Sequence, residues 1–103
     1  MKLDELHEKH HKLSEGEIIL DVRGKDEHEE VHIPSSICIP HTEVADHVDE
    51  LKAYKKVYIH CKRGGRAKVA YESLKAAGLE NIVCVDDAGM DVWVEKGYPT
   101  QKS

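Results

Sequence analysis

Apolar residues along this chain follow two alternating rhythms, short β-branched runs and stretches with helical spacing. Leu3, Leu6, His10 and Leu13 recur at helical spacing, and Gly16 follows near the end of that segment. Ile18-Ile19-Leu20-Asp21-Val22 reads as a buried strand. The polar stretch 23–30 is expected to form a loop or short helix, and 37–39 a short strand ended by Pro40. Thr42 is placed as the N-cap of a helix that turns Val44, Val48 and Leu51 inward. A third strand is predicted over 57–60. A helix over 67–77 should bury Val69, Ala70, Leu74 and Ala77 and stop at Gly78. A fourth strand at 82–85 precedes a short helix opened by Gly89, with Met90, Trp93 and Val94 on one side.

β-Branched strands alternating with amphipathic helices indicate an α/β fold with a mainly parallel central sheet flanked by helices. Such sheets place their sites beyond the C-terminal ends of the strands. The 103 residues are expected to form one domain, 1–103, with a modest core. With 40% hydrophobic and 34% charged residues, the composition is that of a soluble globular protein. No apolar run is long enough to cross a bilayer, and the start lacks the apolar segment of a secretory signal, so a cytoplasmic location is expected. A formal net charge of −5 argues against nucleic-acid binding.

Against that acidic background Lys62, Arg63, Arg66 and Lys68 make one concentrated positive patch around Cys61, suited to a small anionic substrate. The stretch Tyr58-Ile59-His60-Cys61-Lys62-Arg63-Gly64-Gly65-Arg66 places a cysteine at a strand end, then a glycine-rich bend, then a helix start. Backbone N–H groups and the helix dipole there form an anion cradle, and a sulfur within it sits in a field that favours the nucleophilic thiolate. Cys38 and Cys84 lie in apolar strand-like runs and read as buried small hydrophobes. An odd number of cysteines without a C-x-x-C pair implies neither a disulfide framework nor a structural zinc site. His7, His10 and His11 are spaced so that two or three share a helix face, which by itself reads as an exposed face rather than a metal site. His60, next to the cysteine in a strand, should point to the opposite side and serve structure rather than act as a general base. No metal and no cofactor is expected.

The chain resembles the single-domain rhodanese family of sulfurtransferases along nearly all its length. Ile19-Leu20-Asp21-Val22-Arg23 looks like the family's first signature, followed by Glu27, His28 and Glu29. His32-Ile33-Pro34-Ser35-Ser36-Ile37-Cys38-Ile39-Pro40 is similar to its second segment. Cys61-Lys62-Arg63-Gly64-Gly65-Arg66 matches the Cys-x-x-Gly-x-Arg active-site loop, and Gly89-Met90-x-x-Trp93 with Gly97-Tyr98-Pro99 looks like the closing motif. Val31, Ser35 and Ala88 stand where the family often has glycine, and the strand usual before the first helix is reduced to residues 1–3 or missing.

The resemblance implies a three-layer rhodanese-like domain that transfers sulfane sulfur through a persulfide on Cys61, from a donor such as thiosulfate to cyanide, a thiol or a partner protein as acceptor. Lys62, Arg63, Gly64, Gly65 and Arg66 would bind substrate and supply the persulfide cradle, with Lys62 and Arg63 offsetting donor charge and Arg66 fixing the loop by pairing with a carboxylate, a substrate role for it staying open. Asp21 and Arg23 would be structural, His32 a packing residue and Trp93 a core anchor. Two alternatives stay open: a sulfur-carrier or interaction module working with a protein partner, and a cysteine phosphatase-like enzyme. Phosphatase loops are Cys-x5-Arg, whereas four residues separate Cys61 from Arg66, which favours a sulfur atom over a phosphoryl group.

Overall fold

The computed structural model describes residues 1–102; Ser103, the last residue of the expected domain, lies outside them. Helix α1 (Leu3–His10) leads into β1 (Glu17–Asp21), α2 (Lys25–Glu30) and β2 (Ile37–Cys38). A 3-10 turn (Val44–His47) runs into α3 (Val48–Lys52), followed by β3 (Lys56–His60), α4 (Gly65–Ala76), β4 (Ile82–Cys84) and α5 (Met90–Glu95). The four strands form one parallel sheet in the order β2-β1-β3-β4, with Leu20 beside Ile59 and Asp21 beside His60 in the central pair.

Successive strand residues point to opposite faces, so the unbroken apolar runs of β1 and β3 supply two cores at once. On one face Leu20, Val22, Val57 and Ile59 pack with Leu51, Ala67, Ala70 and Leu74 from α3 and α4. On the other, Ile19 and Tyr58 pack with Leu3 and Leu6 of α1 and with Met90 and Trp93 of α5. Both faces are covered, the arrangement an all-parallel sheet requires. The chain has an α/β fold, with helices on either side of a parallel sheet.

Several local expectations are corrected. In α4 the buried stripe is Ala67, Ala70 and Leu74, while Val69 is 52% exposed. Val69 lies roughly 130° round the helix from the centre of that stripe at 100° per residue. Ala77 falls on the exposed C-cap, where the helix has already left the core. Val94 is 48% exposed because α5 is too short to cover more than Met90 and Trp93. Thr42 caps nothing: it sits in a turn, and the segment it was expected to open begins as a 3-10 turn with Glu43 at the cap position. Cys38 and Cys84 are half-buried rather than enclosed, since β2 and β4 are the sheet's two edges. The polar stretch after β1 does form a helix, and Trp93 is fully buried, its indole N–H donating to the Pro99 carbonyl at 2.7 Å. Among the described residues α1 is the first element.

Buried charge ties β1 to the segment that follows it. Asp21 is fully buried and Arg23 is 3% exposed. The Arg23 guanidinium donates to both Asp21 oxygens (2.8–3.1 Å) and to the Val31 carbonyl at 2.6 Å, while His28 Nδ1 lies 2.9 Å from Asp21 Oδ2. Burial alone would push the Asp21 carboxyl up, but the Arg23 hydrogen bonds and the surrounding cationic groups hold it below its ordinary value. A lowered folded-state pKa means that this stabilisation is present above the unfolded carboxyl's value near 4 and is lost as pH falls below it. Asp21→Asn, which leaves Arg23 charged and unpaired in the interior, is expected to destabilise the fold by about 3–5 kcal/mol. Urea unfolding at pH 7 measures the loss, and the difference from the parent chain should shrink on acidification.

Candidate active site

Cys61 follows directly on β3 and precedes α4, at the C-terminal edge of the sheet. It is only 1% exposed, and its Sγ accepts hydrogen bonds from the backbone N–H of Gly64 at 3.0 Å and of Ala67 at 3.3 Å. Gly64 makes this possible. It has φ +115° as the N-cap of α4, and a Cβ there would lie 2.3 Å from the Asp86 carbonyl oxygen. The loop turns back on the sulfur and enters the helix within three residues, so the first-turn amides of α4 face the same space.

Helix α5 braces the loop from behind. Met90 N–H donates to the Cys61 carbonyl at 2.9 Å and Asp91 N–H to the Lys62 carbonyl at 3.3 Å. In a trans peptide the carbonyl and the following N–H point in opposite directions. Drawing both carbonyls toward α5 therefore turns the amides of Lys62 and Arg63 to the other side. The amides of Lys62, Arg63, Gly65 and Arg66 have no hydrogen-bond partner among the described residues, so they remain available to an anion. Gly89 permits the close approach, since a Cβ there would stand 2.1 Å from the Cys61 carbonyl oxygen. This bracing role joins residues far apart in the chain, so no local pattern signals it.

The expected cationic patch divides on folding. Cys61, Lys62, Arg63, Gly65 and Arg66 line an open cavity of about 400 Å³, whereas Lys68 lines a separate one beside Tyr71, Glu72 and Cys84. Arg66 makes a two-pronged ion pair with Glu27 of α2, at 2.7 and 3.0 Å. That pairing holds the Glu27 carboxyl down at about 2 and raises Arg66. It ties α4 to α2 across the site. Arg63 is 81% exposed and leans on Asp91 at 3.2 Å. Lys62 is exposed and forms no salt bridge among the described residues, so its charge is the least committed of the three.

The remaining candidates fall outside the cavity. Asp21 and Arg23 are spent on each other below it. His60 is fully buried, as its strand position requires, with Nδ1 3.4 Å from the Cys61 carbonyl oxygen and Nε2 without a partner among the described residues; burial pushes its pKa down. His32 is buried, and its Nδ1–H donates to the His28 carbonyl, 2.8 Å away. Burial pushes the thiols of Cys38 and Cys84 up to about 11, so neither ionises near neutrality. Asp21, His28 and Cys38 bring ligand-type atoms within 4.8 Å of one another. Both Asp21 oxygens are already occupied by Arg23, and a cation there would stand beside the guanidinium. The donor set does not fit a metal.

Comparison with known proteins places this arrangement. The family model described as the rhodanese-like domain matches residues 3–96. YrkF of Bacillus subtilis, named as a candidate sulfur carrier protein, is 37% identical over 78 residues; the match takes in 76% of this chain and 42% of YrkF. The chain thus spans less than half the length of that relative. The thiosulfate sulfurtransferase GlpE of Pseudomonas syringae is 28% identical over 87 residues, covering 84% of this chain and 80% of GlpE. Among solved structures, a rhodanese-related protein from Thermoplasma volcanium superposes with a TM-score of 0.78 at 33% identity, covering 94% of this chain and 95% of that one.

Proposed function

The chain belongs to the rhodanese-like domain family, and from that membership and the geometry of its loop we propose that it transfers sulfane sulfur through a persulfide on Cys61. The Cys61 thiolate attacks the outer sulfur of a donor such as thiosulfate. The S–S bond of the donor breaks, sulfite leaves with the bonding pair, and a Cys61 persulfide anion remains. An acceptor nucleophile, cyanide in an assay or a thiol in a cell, then takes the outer sulfur and restores the thiolate. Two displacements through a covalent intermediate give ping-pong kinetics.

The observation that carries this reading is the ring of backbone N–H groups around the sulfur, two already on Sγ and four more without partners. A persulfide places its negative charge one sulfur further out, where such amides would hold it by preorganised electrostatics. In this reading Lys62 is the main charge offsetting a dianionic donor, because Arg63 is drawn to Asp91 and Arg66 to Glu27. Arg66 positions the loop. Lys62→Ala is expected to raise the thiosulfate KM several-fold and Arg63→Ala by less, with added salt weakening wild-type binding in the same direction. Steady-state kinetics at two ionic strengths measures both. A KM unmoved by either substitution would leave donor binding to the backbone alone.

The test of the reaction class is a side-by-side assay in one preparation. Thiosulfate:cyanide transfer is expected to be clear and aryl phosphate hydrolysis negligible, because the loop has one residue fewer than a phosphatase loop. Phosphatase turnover exceeding sulfur transfer would overturn the sulfur reading. A second reading, a carrier that passes its sulfur to a protein acceptor, is favoured by the likeness to YrkF and by the surface beside the loop. There Val31, Met90 and Val94 join Lys62, Glu30 and Asp91 around a further cavity of about 310 Å³. Transfer of label from the loaded chain to a protein thiol, faster than to a small thiol at equal concentration, distinguishes it.

A further inference from the structure

We propose that His7 and His11 form a two-imidazole chelate for a divalent transition cation of the zinc–copper class. The two residues are four apart, and His11, at the C-cap of α1, keeps helical dihedrals, so both rings project from one side. Their Nε2 atoms lie 3.3 Å apart, with ring centroids separated by 4.9 Å and the planes at 81°. Two nitrogens bound to one zinc at ~2.0–2.1 Å with a tetrahedral angle between them lie about 3.3–3.4 Å apart. The pair already has the spacing of a chelate, with one imidazole N–H directed at the other ring's nitrogen. A cation takes the place of that shared proton, each ring then keeping its proton on Nδ1.

The tertiary structure preorganises one of the two ligands. The His7 ring is stacked on Tyr98 at a centroid distance of 3.6 Å and an interplanar angle of 3°, and Trp93 meets it edge-on at 5.6 Å. Tyr98 is itself held through its hydroxyl, which donates to Asp4 at 2.9 Å, and Asp4 is paired with Lys96. His7 is thus fixed by contacts from the far end of the chain, while His11 is exposed and gives access. His10, the third histidine of the run, is turned away: its Nε2 lies 3.1 Å from the Pro34 carbonyl oxygen. Imidazole nitrogen selects zinc, copper and nickel over magnesium or calcium, and water completes the coordination. Binding clamps α1 to the Tyr98 and Trp93 contact and so stabilises the folded chain by linkage.

This inference is independent of the sulfur-transfer reading. Zn2+ is titrated into the full chain by calorimetry, and the imidazole nitrogens are followed by NMR. One saturable site is expected, with the His7 and His11 Nε2 resonances moving first and the melting temperature rising. The site should persist in Cys61→Ser, which excludes the loop thiol as ligand, and in His47→Gln as a control for a half-buried histidine elsewhere in the chain. His11→Gln, at an exposed position that does not disturb the core, should abolish saturable binding, and His7→Gln should do the same. No saturable site, binding retained in His11→Gln, or resonance changes centred on His28 instead would overturn the proposal.

Discussion

Cys61→Ser is expected to abolish sulfur loading and turnover together. After thiosulfate treatment the intact parent chain should gain the mass of one sulfur atom, in a form that cyanide or a reducing thiol removes; the variant should gain nothing. The serine hydroxyl stays protonated near neutral pH and is a poor nucleophile toward sulfur, so transfer should fall by roughly four orders of magnitude or more, the scale of removing a covalent nucleophile. The fold should survive, because the change is nearly isosteric and an oxygen can still accept from the Gly64 and Ala67 amides. Cys38 and Cys84 cannot substitute, with thiols pushed up to about 11 by burial. Label that persists in Cys61→Ser would remove the assignment.

The second large effect separates three glycines that look alike in the sequence. Gly64→Ala forces a side chain into a left-handed backbone at φ +115° and drives its Cβ to 2.3 Å from the backbone of Asp86. Gly89→Ala is unstrained in φ but drives its Cβ to 2.1 Å from the Cys61 carbonyl oxygen and 2.5 Å from Lys62. Neither obstacle is a flexible side chain, so the loop or α5 must move. Each substitution is expected to cost about 3 kcal/mol or more and to remove sulfur transfer, since misplacing reacting groups by about 1 Å is already severe. Gly65→Ala meets nothing within 4 Å and should leave stability and activity close to the parent values. Chemical denaturation and the thiosulfate assay on the three variants measure this order. A Gly89→Ala variant with full activity would show that α5 does not position the loop.

The strand and helix alternation was legible in the sequence because each parallel strand is buried on both faces and so reads as an unbroken apolar run. It was least legible where the chain is marginal. Val69 and Val94 are apolar but exposed, because Val69 lies off the buried stripe of α4 and α5 is too short to turn more than Met90 and Trp93 inward. Ser35 occupies a place where the family often has glycine, and it adopts φ +70° all the same: the turn demands that conformation whichever residue carries it. The half-burial of Cys38 and Cys84 depended on strand order, which periodicity does not encode.

The loop shows the same division. Its chemistry is local, so Cys61, the glycines and the cations could be read from six consecutive letters and one strand-to-helix junction. The partners that set those groups are distant in the chain: Glu27 on Arg66, Asp91 on Arg63, Asp86 packed over Gly64, and the Gly89–Met90 peptide against the Cys61 carbonyl. By itself the sequence determined the two-faced strands, the turn residues and the cysteine at a helix start, because steric preference and apolar periodicity act between near neighbours. Only the tertiary structure decided which cation keeps its charge free, which glycine cannot be replaced and which histidine is held between distant aromatic rings. Those outcomes follow from atoms brought within a few ångströms by packing, across separations that no local pattern spans.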